Sequence, residues 1–175
     1  TSVSFSEAGT YTLRLTASDG SLLGYDEIVV TVLTPSTSIT AEFQEGVNGY
    51  TGTRDTEIKS GSPTRNFGRE STIDVDGKPD SSALLAWDLS SIPTGGVIVS
   101  ASIELYISNA SRETFSVYAL DRAWDELSAT WQRATSGSAW GTQGAQGSSD
   151  RTAAVGQLTA SSLGSTTLEL NSLGL

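Results

Sequence analysis

The sequence has no cysteine and no histidine. Without cysteine there is no disulfide framework and no thiol nucleophile. Without histidine the commonest zinc ligand and the commonest general base are missing, which excludes Ser-His-Asp triads, imidazole-zinc sites and imidazole acid–base chemistry. Any catalysis has to run on carboxylates. Basic charge is also scarce: ten Lys and Arg against twenty Asp and Glu give a net charge of −10 and a pI near 4.3. That balance repels nucleic acid and anionic lipid, so neither is an expected partner. No apolar run approaches the roughly 20 residues that a membrane-spanning helix needs, so no membrane insertion is expected. What the chain does have is 18 glycines, heavy Ser and Thr usage and few helix-favouring stretches. This is the profile of many secreted all-β proteins and places the chain outside the cell.

Local patterning supports that class. Residues 10–17 alternate so that Tyr11, Leu13, Leu15 and Ala17 share one face of a strand. Ser18, Asp19 and Gly20 supply turn chemistry, and residues 25–33 carry Ile28, Val30 and Val32 on one face and Val29 on the other, so a hairpin is expected. A lone hairpin is marginal in water and needs a surface to pack on, in this chain or another. Residues 35–40, with Pro35 among Ser and Thr, read as a linker. Beyond it, strands are expected at 41–44, 54–59, 71–76, 82–89, 96–108, 114–122, 152–158 and 165–171, separated by Gly, Pro, Asn and Asp turns. The clearest runs from Val97 to Ile107, where Ala101, Ile103, Leu105 and Ile107 alternate against Ser102, Glu104 and Tyr106. It should be a central strand. An all-β, antiparallel, jelly-roll-like β-sandwich accommodates this many short strands. Residues 123–150 show no clean strand and read as a long ordered loop anchored by burial of Trp124 and Trp131.

Two segments carry family resemblances. Residues 8–20, AGTYTLRLTASDG, resemble the penultimate strand of polycystic-kidney-disease-type (PKD) and related immunoglobulin-like repeats, with residues 27–33 as the final strand. The resemblance implies that residues 1–34 are the C-terminal hairpin of a partial domain. The second covers 41–175. Residues 46–56 (GVNGYTGTRDT) resemble the opening of DNRLRE-type domains, and Thr64 to Gly68 (TRNFG) resembles their turn. Residues 84–93 (LLAWDLSSIP), 100–105 (SASIEL) and 124–131 (WDELSATW) follow in the family's order. Ala86 and Trp87 stand where that pattern has Arg and Phe. The resemblance implies a jelly-roll domain over 41–175 that is C-terminally incomplete. The family is similar to a group of non-catalytic carbohydrate-binding modules that includes alginate binders and is carried in large secreted or surface proteins.

Candidate site residues follow, each with a plainer alternative. Asp74, Asp76 and Asp80 cluster around Gly77 and offer the hard oxygens that Ca²⁺ prefers, although Asp-Gly turns are common solvated turns. Asp55 and Asp150 join them as calcium candidates because the resemblance implies a structural ion between a first strand and a late loop. Trp140, flanked by Gly137, Ser138, Gly141 and Gly144, and Tyr50, in a Gly-rich turn, are candidates for stacking on sugar rings. Trp124 and Trp131 are expected in the core. Arg54 and Arg65, with Arg69, are candidates for bidentate pairing with uronate carboxylates, or else ordinary surface ion pairs. Asp125 with Glu126, or Glu42 with Glu45, supply carboxylates in number for glycoside hydrolysis, but nothing sets either pair across a cleft.

The expected function is therefore a non-catalytic extracellular module that binds polysaccharide, acidic or neutral. The alternative is a structural subunit of an extracellular fibre or surface layer, in which the hairpin of one copy completes the sheet of a neighbour by β-strand addition. A carboxylate-only lyase or hydrolase comes last.

Overall fold

A computed structural model describes residues 2–33, 38–78, 80–95, 97–172 and 174. The chain divides into two compact units, residues 1–41 and 42–175. Of the expected linker, residues 35–37 lie outside the described residues. All regular structure among the described residues is β, and every strand pair is antiparallel.

In the first unit β1 (Gly9–Ser18) pairs with β2 (Leu23–Val32) along its whole length. The expected alternation sets the register, because Tyr11 faces Val30 and Leu13 faces Ile28. The opposite face is polar: Arg14 lies opposite Glu27, donates to it from Nε at 2.7 Å and stacks over Tyr25 at 4.5 Å. The turn closes on Asp19, whose Oδ1 accepts the N–H groups of Ser21 and Leu22 while Gly20 takes φ 95°. The apolar face is only half covered, since Tyr11, Leu13, Val30 and Val32 are half-buried but Leu15 and Ile28 are exposed.

In the second unit β5 (Asp80–Trp87) is the central strand of a three-stranded sheet, flanked by β3 (Thr53–Lys59) and the short β4 (Asp76–Gly77). Two further pairs, β6 (Ser102–Ile107) with β11 (Gly164–Glu169) and β7 (Thr114–Leu120) with β10 (Arg151–Thr159), complete the main framework. Alternation again decides which face is buried. Ile58 and Leu84 point to the same side of the β3–β5 sheet and meet Trp124, Ala129, Trp131, Ala134, Trp140 and Ala145 in one core. A smaller buried set, Val155, Ala160 and Leu168, lies where β10 approaches β11.

Three expected strands are shorter than their patterns. Residues 41–44 form none: Phe43 packs edge-on against Tyr50 with ring centroids 5.4 Å apart, inside a turn. At 71–76 only Asp76 is in a strand, because the Asp74 N–H goes to Glu57 Oε2 at 2.6 Å and not to a neighbouring backbone. The Val97–Ile107 alternation yields a strand only from Ser102, the residue opposite Glu169 where β11 ends. Val97 and Val99 have no ladder partner among the described residues and are 87% and 74% exposed. The 123–150 loop contains a small ribbon, β8 (Arg133–Thr135) with β9 (Ser138–Ala139), that the sequence pattern does not announce.

Candidate functional site

A groove forms at the end of the central sheet where β3 begins and β5 stops. Thr53 and Trp87 are the last ladder pair, and the Asp88 N–H donates to the Gly52 carbonyl at 2.9 Å just beyond it. The preceding turn brings Tyr50 to the same place. Asn48 and Gly49 take φ 51° and 80°, the Gly46 N–H donates to the Tyr50 carbonyl at 2.9 Å, and the Tyr50 hydroxyl donates to the Asp88 carbonyl at 3.2 Å. Gly52 permits this closeness, since a Cβ there would stand 2.7 Å from both the Tyr50 hydroxyl and Asp88 Cβ. Two adjoining clefts result. One, of about 460 Å³, is lined by Thr51, Gly52, Arg54, Trp87, Asp88 and Leu89. The other, of about 210 Å³, shares Thr51, Gly52 and Asp88 with it and adds Gly49, Tyr50, Ser90 and Ser91.

The groove carries one cation and one anion. Arg54 is exposed and forms no ion pair among the described residues; Nη1 rests on the Trp124 carbonyl at 3.4 Å with the guanidinium 5.5 Å from the Trp124 ring. Backbone and hydroxyl hydrogen bonds from Ser90, together with the charge of Arg54, hold the Asp88 carboxyl below its ordinary range. It is an anion at neutral pH, able to accept hydrogen bonds but not to serve as a general acid. Asp88 is also the only carboxylate in the lining of either cleft among the described residues. The pair of carboxylates that glycoside hydrolysis uses is therefore not present there.

The structure brings Tyr50 and Arg54 together in this groove and assigns the other two aromatic and basic candidates elsewhere. Trp140 is a correction: it is 5% exposed, and its Nε1 donates to the Thr130 carbonyl at 2.8 Å. The surrounding glycines do not loosen the loop; they let backbone close on indole. The Gly144 N–H donates to the Trp131 carbonyl at 2.7 Å, and a Cβ on Gly144 would meet the Trp131 ring. Arg65 donates to Glu70 at 2.8 Å and lies over Phe67 at 4.5 Å, an exposed surface pair. Arg69 lines neither cleft. Trp124 and Trp131 are buried, as their patterning predicts. Asp88 was not among the sequence candidates, and Trp87 is the groove ring that sequence reasoning missed. Its one signal was an aromatic closing a strand immediately before an Asp-Leu-Ser turn.

Three of the acidic candidates, Asp150, Asp74 and Asp76, are partnered by the protein itself. Asp150 has no solvent exposure; its Oδ1 accepts the Gly141 N–H at 2.8 Å and Arg122 Nε at 2.6 Å, and its Oδ2 accepts the N–H groups of Thr142 and Gly147. Burial pushes its carboxyl up, but these donors outweigh burial and bring it down to about 2. A carboxylate ringed by donors is a built-in anion site and a poor calcium ligand. Asp74 Oδ2 is paired with Lys59 Nζ at 3.0 Å, and Asp76 Oδ1 accepts the N–H groups of Gly77 and Lys78. Asp55 is held above the ordinary carboxylate range by burial and by the nearby charge of Glu126. No three acidic side chains gather as an ion cage among the described residues. Glu45 and Glu126 cap the outer edge of β3, accepting the N–H groups of Thr53 and Asp55 at 3.1 and 3.0 Å.

Two of the motif segments meet in space. Asn66 Nδ2 donates to the carbonyls of Glu126 and Ala129 at 2.7 and 2.8 Å, which seats the 64–68 turn on the 124–131 loop directly behind β3. No curated protein and no solved structure matches the chain. The sequence pattern of carbohydrate-binding module family 96 matches residues 48–158, more than half of the chain, and spans every residue that lines the groove. With an open groove of mixed aromatic and polar lining in the matched region, the chain belongs to carbohydrate-binding module family 96.

Proposed function

We propose that this chain is a non-catalytic, extracellular module that binds polysaccharide in the groove between Tyr50 and Asp88, as part of a secreted or surface-attached protein. The observation that carries the reading is Arg54. On a chain of net charge −10 it is exposed, without an ion-pair partner among the described residues, and held at one nitrogen in a groove that also presents aromatic rings. A guanidinium so placed still has donors to offer a uronate carboxylate or sugar hydroxyls. Asp88 and the hydroxyls of Thr51, Ser90 and Ser91 supply the remaining polar contacts.

Affinity electrophoresis and titration calorimetry with acidic and neutral polysaccharides test this. Retardation by at least one polymer is expected, and Arg54→Ala should weaken binding to a uronate polymer by about tenfold, the scale of one charge-assisted contact. Loss of the reading follows if no polysaccharide slows the wild-type chain.

The hairpin supports a second reading, a subunit that assembles by β-strand addition. Its two strands leave outer edges without ladder partners among the described residues, and Leu15, Ile28 and Val29 are 77%, 62% and 64% exposed. Assembly that persists in electron micrographs after removal of residues 2–33 would end that reading.

A further inference from the structure

We infer that the groove holds the interior of a glycan chain and not its end, and that Trp87 is the ring on which one sugar is seated; this rests on the polysaccharide-binding reading above. The four tryptophans divide sharply. Trp124, Trp131 and Trp140 are all 8% exposed or less and belong to one core. Trp87 is half-buried and lies outside that core. No other aromatic ring stacks on it among the described residues, and its indole N–H is neither hydrogen-bonded nor enclosed. A half-buried indole whose N–H has no hydrogen-bond partner among the described residues, in a cleft of about 460 Å³, offers what a pyranose uses: apolar area for its C–H face and a hydrogen-bond donor for its rim.

Continuity of the groove argues for the chain interior. Trp87 belongs to the larger cleft and Tyr50 to the smaller, and the two clefts share the floor of Thr51, Gly52 and Asp88. Gly52 keeps that floor low, because a side chain there would displace the Tyr50 hydroxyl or Asp88. Two aromatic residues over one uninterrupted floor suit successive sugars of a chain. Polar groups sit along the same path, with Arg54 in the larger cleft, Ser90 in the smaller and Asp88 in both. Of the two positions at which this chain departs from the resembled pattern, Trp for Phe at position 87 enlarges the ring and adds a donor.

Titration calorimetry with β-1,4-linked uronic-acid oligosaccharides and cello-oligosaccharides of two, four and six sugars tests the inference. Affinity for the better series should rise about tenfold or more from disaccharide to tetrasaccharide. Trp87→Ala should lose about tenfold on the tetrasaccharide, and Trp87→Phe should retain most of the affinity. Tyr50→Ala should flatten the length dependence, lowering tetrasaccharide affinity towards that of the disaccharide. Should Trp87→Ala fail to fold, hydroxyl-radical footprinting of the wild-type chain decides: the hexasaccharide should protect Trp87 and Tyr50 and leave Trp140 unchanged. A disaccharide bound as tightly as the hexasaccharide overturns the inference, as does an unprotected Trp87 in a chain that binds. Failure of every oligosaccharide to bind removes the polysaccharide reading and this one together.

Discussion

Asp150 is fully buried and yet ionised, because four donors converge on its two oxygens. Removing the acceptor leaves Arg122 Nε and three backbone N–H groups facing an empty site, a far larger loss than any surface pair on this chain. Asp150→Ala is expected to cost about 3 kcal/mol or more of stability in urea titration. The pH dependence has a definite sign. Folding lowers this carboxyl from 3.8 to about 2, so its stabilisation is present above the unfolded value and is lost as pH falls through the folded one. Urea midpoints should drop between about pH 4 and pH 2 in the wild type, and Asp150→Asn should remove much of that drop. Arg54 is the opposite case. Whereas Arg14, Arg65 and Arg122 are paired with Glu27, Glu70 and Asp150, Arg54 makes a single long hydrogen bond and remains available. That Arg54 would be among the arginines without an ion pair was not legible in the sequence, since a partner can lie far along the chain: Arg122 and Asp150 are 28 positions apart.

Among the elements, the 124–150 loop behaves as core although it is mostly irregular. Three indoles fill it, β8 and β9 tie it, and the Asp150 donors close it. The 64–68 turn docks on its first part, and this contact depends on a missing side chain. A Cβ on Gly68 would overlap the Glu126 carbonyl, whereas one on Gly77 would meet nothing within 4 Å. Gly68→Ala is therefore expected to cost about 1–3 kcal/mol, the range for overpacking a tight contact, and Gly77→Ala to leave the urea midpoint nearly unchanged. Equal effects of the two substitutions would count against close docking of the turn. Strands were legible where alternation coincided with a partner: β1, β2, β5, β7, β10 and β11 lie close to their expected positions. Where alternation outran its partner, as at Val97 and Val99, no strand formed, because backbone ladders need a second chain segment as well as a pattern.

At the scale of the whole molecule, composition settled the class of chemistry. No histidine, no cysteine and a net charge of −10 leave carboxylates, arginines and aromatics as the functional inventory. The groove is lined by one residue of each of the first two kinds and two aromatics. Period-two alternation is a local property of the chain, so the all-β antiparallel class and the residues that share a face of the hairpin could be read from the sequence alone. Tyr50 and Arg54 could be picked as candidates because each stands in or beside a Gly-rich turn, where side chains tend to reach solvent, and both line the clefts. Burial is not local: it depends on which segments return to cover a residue. Only the tertiary structure could send Trp140 into the core and leave Trp87 in the groove, turn Asp150 from a candidate ligand into an internal anion, and set Glu45 and Glu126 as caps on a strand edge. In each case the deciding partner is a hydrogen-bond donor or a packing surface contributed by another part of the fold, and its placement is the three-dimensional information that residue order carries only implicitly.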